Sequence, residues 1–211
     1  MGYAATLLFD PYYVAVKLGK WDEILTMDLE TFDLQYPKAI KHYAKGMAYL
    51  SKNDMQKAKN EMESLYKISE DSTLNEITVW QINTVKPLVE IASKVLNAEI
   101  LAKENNYDKS ITLLKEAVAL EEALNYNEPP DWFFSVRHHL GAIQLEAGYY
   151  EDAIIIYEDD LKKFPKNGWA HHGLKLAYQN LGDQENEVRI DDLLKNSWAT
   201  ADIEIESSRI K

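Results

Sequence analysis

The amino-acid sequence predicts an all-α solenoid, a stack of antiparallel helix pairs, and three observations support this fold class. A short pattern recurs along the chain: a small residue or glycine, an aromatic, two polar residues, a small residue and an aliphatic one. The units that contain it are spaced by 34 residues, or by 34 plus an insertion. Hydrophobic residues make up 46% of the 211 residues, which is enough apolar material for an extended array of small cores.

The pattern is clearest in the stretch GYYEDAIIIYEDDLKKFPKNGWA, residues 148–170. It returns at 19–25 and 106–111 and, in a weaker form, at 54–58. Extending each match in both directions gives five units, which begin near Ala5, Ala39, Ile91, Phe134 and Gly168. The first and last spacings are 34 residues, and the two between them contain insertions of 18 and 9 residues.

The fourth unit has a suitable residue type at each packing position. Gly141 permits a close approach between helices, and Ala153 falls where the second helix crosses the first. Tyr157 is the bulky side chain that fills the wedge between helices, and Pro165 ends the second helix. A 34-residue period of two amphipathic helices with these features resembles the tetratricopeptide repeat. This resemblance implies a right-handed α-α superhelix.

The other units depart from this pattern at particular positions. The second unit has Met62 in place of the aromatic and Glu70 in place of the proline, and the third has Ser110 at the helix crossing. In the fifth unit Lys175 and Glu187 replace the two small residues, as a less buried terminal unit allows.

Longer phrases extend the resemblance over nearly the whole chain. KLGKWDEIL, EPPDWFFSVRHHLGA, the 148–170 region and NSWATADIEIE look like the C-terminal region of large bacterial tetratricopeptide-repeat proteins. The resemblance implies an all-helical binding scaffold and provides no catalytic residues to carry over.

We therefore expect a single domain over residues 1–211, with insertions at about 73–90 and 125–133 and a tail from about 199 to 211. The first insertion predicts a short helix over 74–82, followed by a long helix over 85–104. In the second, Asp131 is predicted to cap a helix that begins at Trp132. Trp80 and Trp132 either fill gaps between repeats or shape the mouth of a groove. The tail either docks as an extended segment or frays.

Charge and composition exclude several classes of function. Asp and Glu number 35 against 23 Lys and Arg, a net charge of −12, which disfavours nucleic acid as a partner. There is no cysteine, and no apolar run long enough to span a bilayer. We expect a cytoplasmic protein, although a longer parent could carry a targeting segment. No nucleotide-binding or hydrolase motif is present, so we expect neither an enzyme nor a bound cofactor.

In the tetratricopeptide-repeat family the first helix of each unit lines the concave surface, which forms a groove. Helical spacing projects aromatic, apolar and polar side chains into this predicted groove, a mixture that suits a protein or peptide segment. The predicted groove residues are Phe9, Tyr13, Tyr43, Met47, Glu99, His138, Glu146, Trp169, His172 and Asn180.

Two alternatives to peptide binding are left open by the sequence. His138 and His172 take equivalent places in neighbouring units, and with Glu146 they would suit a metal site or an enzyme accessory domain. The apolar start, Leu7 to Phe9, would instead suit an architectural role, in which the array supports or dimerises a longer protein.

Overall fold

A computed structural model of the protein describes residues 10–29, 31, 33–201, 203 and 205–210. These residues form ten α-helices, one 3₁₀ helix and two short strands, which confirms the all-α fold class. The α-carbon contacts divide the chain into two compact units, Met1–Phe134 (unit 1) and Ser135–Lys211 (unit 2). No described helix is both long and apolar enough to cross a membrane.

Consecutive helices form antiparallel pairs in both units. The helices of unit 1 are α1 (Asp10–Lys17), α2 (Trp21–Thr26), α3 (Gln35–Ser51), α4 (Met55–Ser69), α5 (Val85–Lys103) and α6 (Tyr107–Glu122). Those of unit 2 are α7 (Val136–Ala147), α8 (Tyr150–Lys163), α9 (Gly168–Leu181) and α10 (Gln184–Ser197). The long helix expected over 85–104 is thus present as α5, and the last helix ends one residue before Trp198.

The turn inside each pair depends on a residue in the left-handed conformation. Gly148 and Gly182 end α7 and α9 with φ of 82° and 71°. The corresponding residues in unit 1 are Gly19, with φ of 63°, and Asn53 and Asn105, both with φ of 59°. Asparagine is the side-chain residue that adopts this conformation most readily, so both residue types reverse the chain in the same way.

Small residues at the helix crossings are fully buried, as the repeat pattern predicts. Ala58 and Ala153 have no exposed surface, and neither has Ser110, whose hydroxyl donates to the carbonyl of Ala98 at 2.7 Å. The buried serine hydroxyl therefore has a hydrogen-bond partner within the helix crossing. In the fifth unit the two large replacements form polar pairs instead: Lys175 with Asp191, and Glu187 with Gln179.

The predicted helix over 74–82 is wrong. The segment forms a 3₁₀ helix, Ser72–Glu76, and then an antiparallel pair in which Thr78–Val79 faces Asn83–Thr84. Trp80 and Gln81 reverse the chain with φ of 53° and 62°. Three consecutive β-branched residues, 77–79, favour extended backbone over a helix here.

The predicted helix start at Trp132 is also wrong, because α7 begins at Val136. The Asp131 carboxylate does not cap a helix; it accepts hydrogen bonds from the amides of Asn83 and Asn127, each at 2.7 Å. Asn83 also donates to the Asn125 carbonyl at 2.9 Å and accepts from its N–H at 2.8 Å. The two insertions are thereby tied together within unit 1.

Candidate peptide-binding surface

Tyr157 of α8 places the end of its ring between two neighbouring helices of unit 2. A Cβ atom added at Gly141 of α7 would lie 2.4 Å from the Tyr157 Cζ, and one added at Gly173 of α9 would lie 2.2 Å from it. Neither position has room for a side chain, since such contacts are far inside van der Waals distance. The two glycines therefore create the slot through which the tyrosine hydroxyl reaches the last residues of the chain.

Residues 205–210, here called the closing segment, are held by three helices of unit 2. The Ser208 hydroxyl is hydrogen-bonded to the Tyr157 hydroxyl. Arg209 Nη2 donates to both carboxylate oxygens of Glu146, at 3.0 and 2.9 Å. His172 is hydrogen-bonded to the backbone of Glu206. The tail therefore docks against unit 2, as the first of the two expected outcomes had it, but it bends at residues 206, 208 and 209 instead of lying extended.

Burial distinguishes this contact from a chain lying loosely on a surface. Ser208 is 1% exposed, and Arg209 and Ile210 are each 8% exposed. A guanidinium removed from water to this extent requires a charged or hydrogen-bonding partner, and Glu146 supplies one. Upstream, the Trp198 indole N–H donates to the carbonyl of Ile203 at 2.7 Å, which holds Ile203 close to the end of α10.

Burial and nearby charges set the protonation states of Tyr157 and His172. Burial raises the pKa of the Tyr157 hydroxyl, and the bond to Ser208 and the charge of Arg209 only partly oppose this effect. Burial also lowers the pKa of His172 below its usual value, against the opposing effect of the bond to Glu206. Near pH 7 the tyrosine is therefore a neutral hydroxyl and the histidine a neutral ring.

His138 takes part in a buried polar cluster at the α8–α9 connection. The Asn167 side-chain amide lies 2.9 Å from His138 Nε2 and donates to Asp160 Oδ2 at 2.8 Å, while its oxygen accepts from the Trp169 N–H at 3.1 Å. Burial raises the pKa of Asp160. His138 is 2% exposed and therefore does not line an open surface. Its contact with Asn167 stabilises the connection between α8 and α9.

The metal alternative receives no support from this geometry. Within the described ranges, no three His, Asp or Glu side chains are grouped so that they could hold a metal ion. The three residues of that alternative have separate partners: His138 contacts Asn167, Glu146 binds Arg209, and His172 binds the backbone of Glu206.

The other two predicted residues of unit 2 lie on α9. Trp169 is half-buried and packs edge-on against Trp198, with 4.9 Å between ring centroids. Asn180 is exposed, and its amide donates to the carbonyl of Leu176 at 2.8 Å. Asn180 follows Glu146 by one 34-residue period and therefore holds the equivalent position in the next repeat.

In unit 1 the four described groove residues are buried, with exposures between 0 and 7%: Tyr13, Tyr43, Met47 and Glu99. Tyr13 stacks on Phe133 at 4.5 Å between centroids, and Tyr43 meets the edge of Trp132 at 5.4 Å. Trp132 is itself 3% exposed, so it fills the space between repeats instead of forming an open mouth, whereas Trp80 is 46% exposed.

Some predicted contacts lie outside the described residues, and sequence reasoning missed others. Phe9 is outside, as are Leu7 and Leu8 of the architectural alternative. The missed contacts are Phe133 and Arg209. A signal existed for the first, since three consecutive aromatics, 132–134, follow two prolines in a loop. Nothing local distinguishes the single arginine of the tail.

Comparison with known proteins identifies the repeat. Residues 42–72, which cover the second half of α3 and all of α4, match the family model described as tetratricopeptide repeat. Residues 42–72 are therefore similar to one tetratricopeptide repeat, in agreement with the family suggested by the 34-residue period.

Two curated proteins are similar in sequence to parts of this chain. Human "Intraflagellar transport protein 88 homolog" is 26% identical over 128 residues, or 57% of this chain. "Protein MRG3-like" of Saccharomyces cerevisiae is 33% identical over 86 residues, or 40% of this chain. The matches span only 15% and 19% of those two proteins, respectively.

Among solved structures, MamA AMB-1 (P212121) is similar with a TM-score of 0.52 and 17% sequence identity. The alignment covers 91% of this chain and 98% of the other. At this identity the likeness concerns the fold, and it supports the helical-repeat superhelix that the resemblance implied.

Proposed function

We infer that the protein is a non-enzymatic scaffold that binds extended segments of other proteins on surfaces built from the first helices of its repeats. The closing segment is the observation that supports this function most directly. It lies across α7, α8 and α9 and is held by a carboxylate, a hydroxyl and an imidazole. Groups that hold one non-helical segment in place can hold another of matching chemistry.

The predicted groove residues take different parts in this proposal. In unit 2, Glu146 and His172 contact the bound segment, and Trp169 and Asn180 extend the surface along α9. His138 supports it from the interior. In unit 1, the buried set Tyr13, Tyr43, Met47 and Glu99 shapes the surface on which residues 131–134 pack, and Phe9 is proposed to extend it.

Protein is the proposed class of partner because the binding groups are few, polar and spaced along a helical face. The net charge of −12 disfavours a nucleic-acid backbone. The cytosol is the proposed compartment, since a chain without cysteine needs no oxidising environment. A homodimer is the alternative assembly, and light scattering on the purified chain tests it.

A random-peptide display selection on the full chain tests the function. We expect an enriched consensus whose synthetic peptide binds wild type and loses about tenfold or more in affinity to Asn180→Arg, because the new charge stands on the proposed surface. Asn196→Arg makes the same chemical change at an exposed position on α10 and should bind like wild type. Failure to enrich any peptide, or equal losses in the two variants, would refute the proposal.

A further inference from the structure

We propose that the unit 2 surface formed by Glu146, Tyr157 and His172 is specific for a segment of a partner protein that carries Ser-Arg-aliphatic in the non-helical conformation of the closing segment. The chain's own closing segment is then a resident competitor that the partner displaces. This inference rests on the proposed function and specifies the chemistry of the ligand.

Arginine specificity follows from the contact at Glu146. One guanidinium nitrogen of Arg209 reaches both oxygens of the Glu146 carboxylate, and the arginine side chain is 7% exposed. A guanidinium is less costly to remove from water than a lysine ammonium, which favours arginine at this buried position. The acidic balance of the whole chain, −12, also favours a cationic segment.

Serine specificity follows from the slot between the two glycines. The Tyr157 hydroxyl is the end of a ring that cannot shift sideways, because Gly141 and Gly173 leave no space beside it. A small hydroxyl residue at the position of Ser208, which is 1% exposed, meets this hydroxyl. His172 adds a hydrogen bond to the backbone of Glu206. This bond fixes the register of the segment but does not select for any side chain.

Displacement requires that a partner's segment bind this surface more strongly than the tethered closing segment does. Ser208 and Arg209 hold the closing segment through side-chain bonds, and the residues between it and α10, 199–201 and 203, are exposed. A tethered segment competes at an effective concentration of about millimolar. A partner with more contacts, or one that also engages α9 near Asn180, can overcome this competition.

Fluorescence anisotropy with the labelled peptide IESSRI, residues 205–210, tests the proposal on the full chain. Arg209→Glu places a carboxylate against Glu146 and releases the resident segment. We expect this variant to bind the peptide about tenfold or more tightly than wild type, whose site is already occupied. Lys166→Glu makes the same charge change in an exposed turn and should bind like wild type. The peptide IESSAI should lose about tenfold or more.

Three results would overturn the proposal. One is that IESSRI binds Arg209→Glu no better than it binds Lys166→Glu, and another is that IESSAI binds as well as IESSRI. A third is a wild-type dimer, seen by light scattering, that IESSRI dissociates, because a second copy would then be the occupant. If the display selection still yields a consensus without arginine, the proposed function stands and only this specificity fails.

A second measurement does not depend on the folding of Arg209→Glu. The chain has no cysteine, so Ser208→Cys carries a single thiol at a position that is 1% exposed. Its reaction with a thiol reagent should be slow and should accelerate about tenfold or more when excess IESSRI displaces the segment, but not with IESSAI. A labelling rate that neither peptide changes would contradict displacement.

Discussion

Tyr157 illustrates how one residue joins packing to recognition. Its ring fills the slot that Gly141 and Gly173 leave between α7 and α9, and its hydroxyl meets Ser208 beyond that slot. The glycines are required for their lack of volume, since both lie inside helices with ordinary backbone angles. The space available in this slot therefore sets both the spacing of the two helices and the position of a binding group.

The substitution Gly173→Ala should destabilise the protein by about 1–3 kcal/mol, because the added methyl group would overlap the Tyr157 ring in a packed interior. Urea denaturation followed by circular dichroism measures the change. In a Tyr157→Ala background the same substitution should cost much less, since the overlapping ring is gone. An equal cost in both backgrounds would show that the close contact with Tyr157 is not the cause.

At the scale of the element, the two insertions form a structure of their own inside unit 1. The strand residue Asn83 binds Asn125 and Asp131 in the second insertion, and this places Trp132 and Phe133 against α1 and α3. The aromatic residues that sequence analysis assigned to a partner surface are thus contacted by the chain itself. The insertion completes the core of unit 1.

Trp132→Ala should cost about 3–5 kcal/mol of unfolding free energy, the usual loss for a large aromatic removed from a core. Trp80→Ala is the matched control, because Trp80 belongs to the other insertion and is 46% exposed. Its expected effect is within about 0.5 kcal/mol. Both are measured by urea denaturation with far-ultraviolet circular dichroism. Similar losses in the two variants would mean that burial of Trp132 does not stabilise unit 1.

For the molecule as a whole, charge is the dominant surface property. There are 35 acidic residues against 23 basic ones, and several ion pairs in the described structure are exposed, for example Lys162–Asp159 and Lys67–Glu63. Exposed pairs of this kind contribute about 0–1 kcal/mol each and are screened by salt. The excess acidic side chains repel one another in the folded state.

Raising NaCl from 20 to 300 mM should therefore increase the Tm, because screening relieves net repulsion more than it weakens the exposed pairs. A gain of about 1 kcal/mol corresponds to about 2–4 °C in a chain of this size. Differential scanning calorimetry at constant pH gives the shift. A Tm that falls with salt would indicate that the ion pairs outweigh the repulsion.

Much of the fold could be predicted from the sequence, because helical repeats are specified by local patterns. The 34-residue period located the helix pairs, and the identity of Ala153, Tyr157 and Gly141 indicated their packing. The helix over 74–82 could not be predicted correctly, because its polar and apolar spacing also fits a hairpin. The hairpin is stabilised by the hydrogen bonds of Asn83, whose partners lie 42 and 48 residues away in the chain.

The sequence by itself determined that this protein is an acidic, all-α array of tetratricopeptide-like units, since periodicity, turn residues and charge are all local properties. Only the tertiary structure decided what covers the first-helix surfaces: Trp132 and Phe133 in unit 1 and the closing segment in unit 2. Those contacts join residues far apart in the chain, 63 positions for Glu146 and Arg209 and 51 for Tyr157 and Ser208. A repeat pattern describes what each unit has in common, whereas these contacts depend on side chains that occur once.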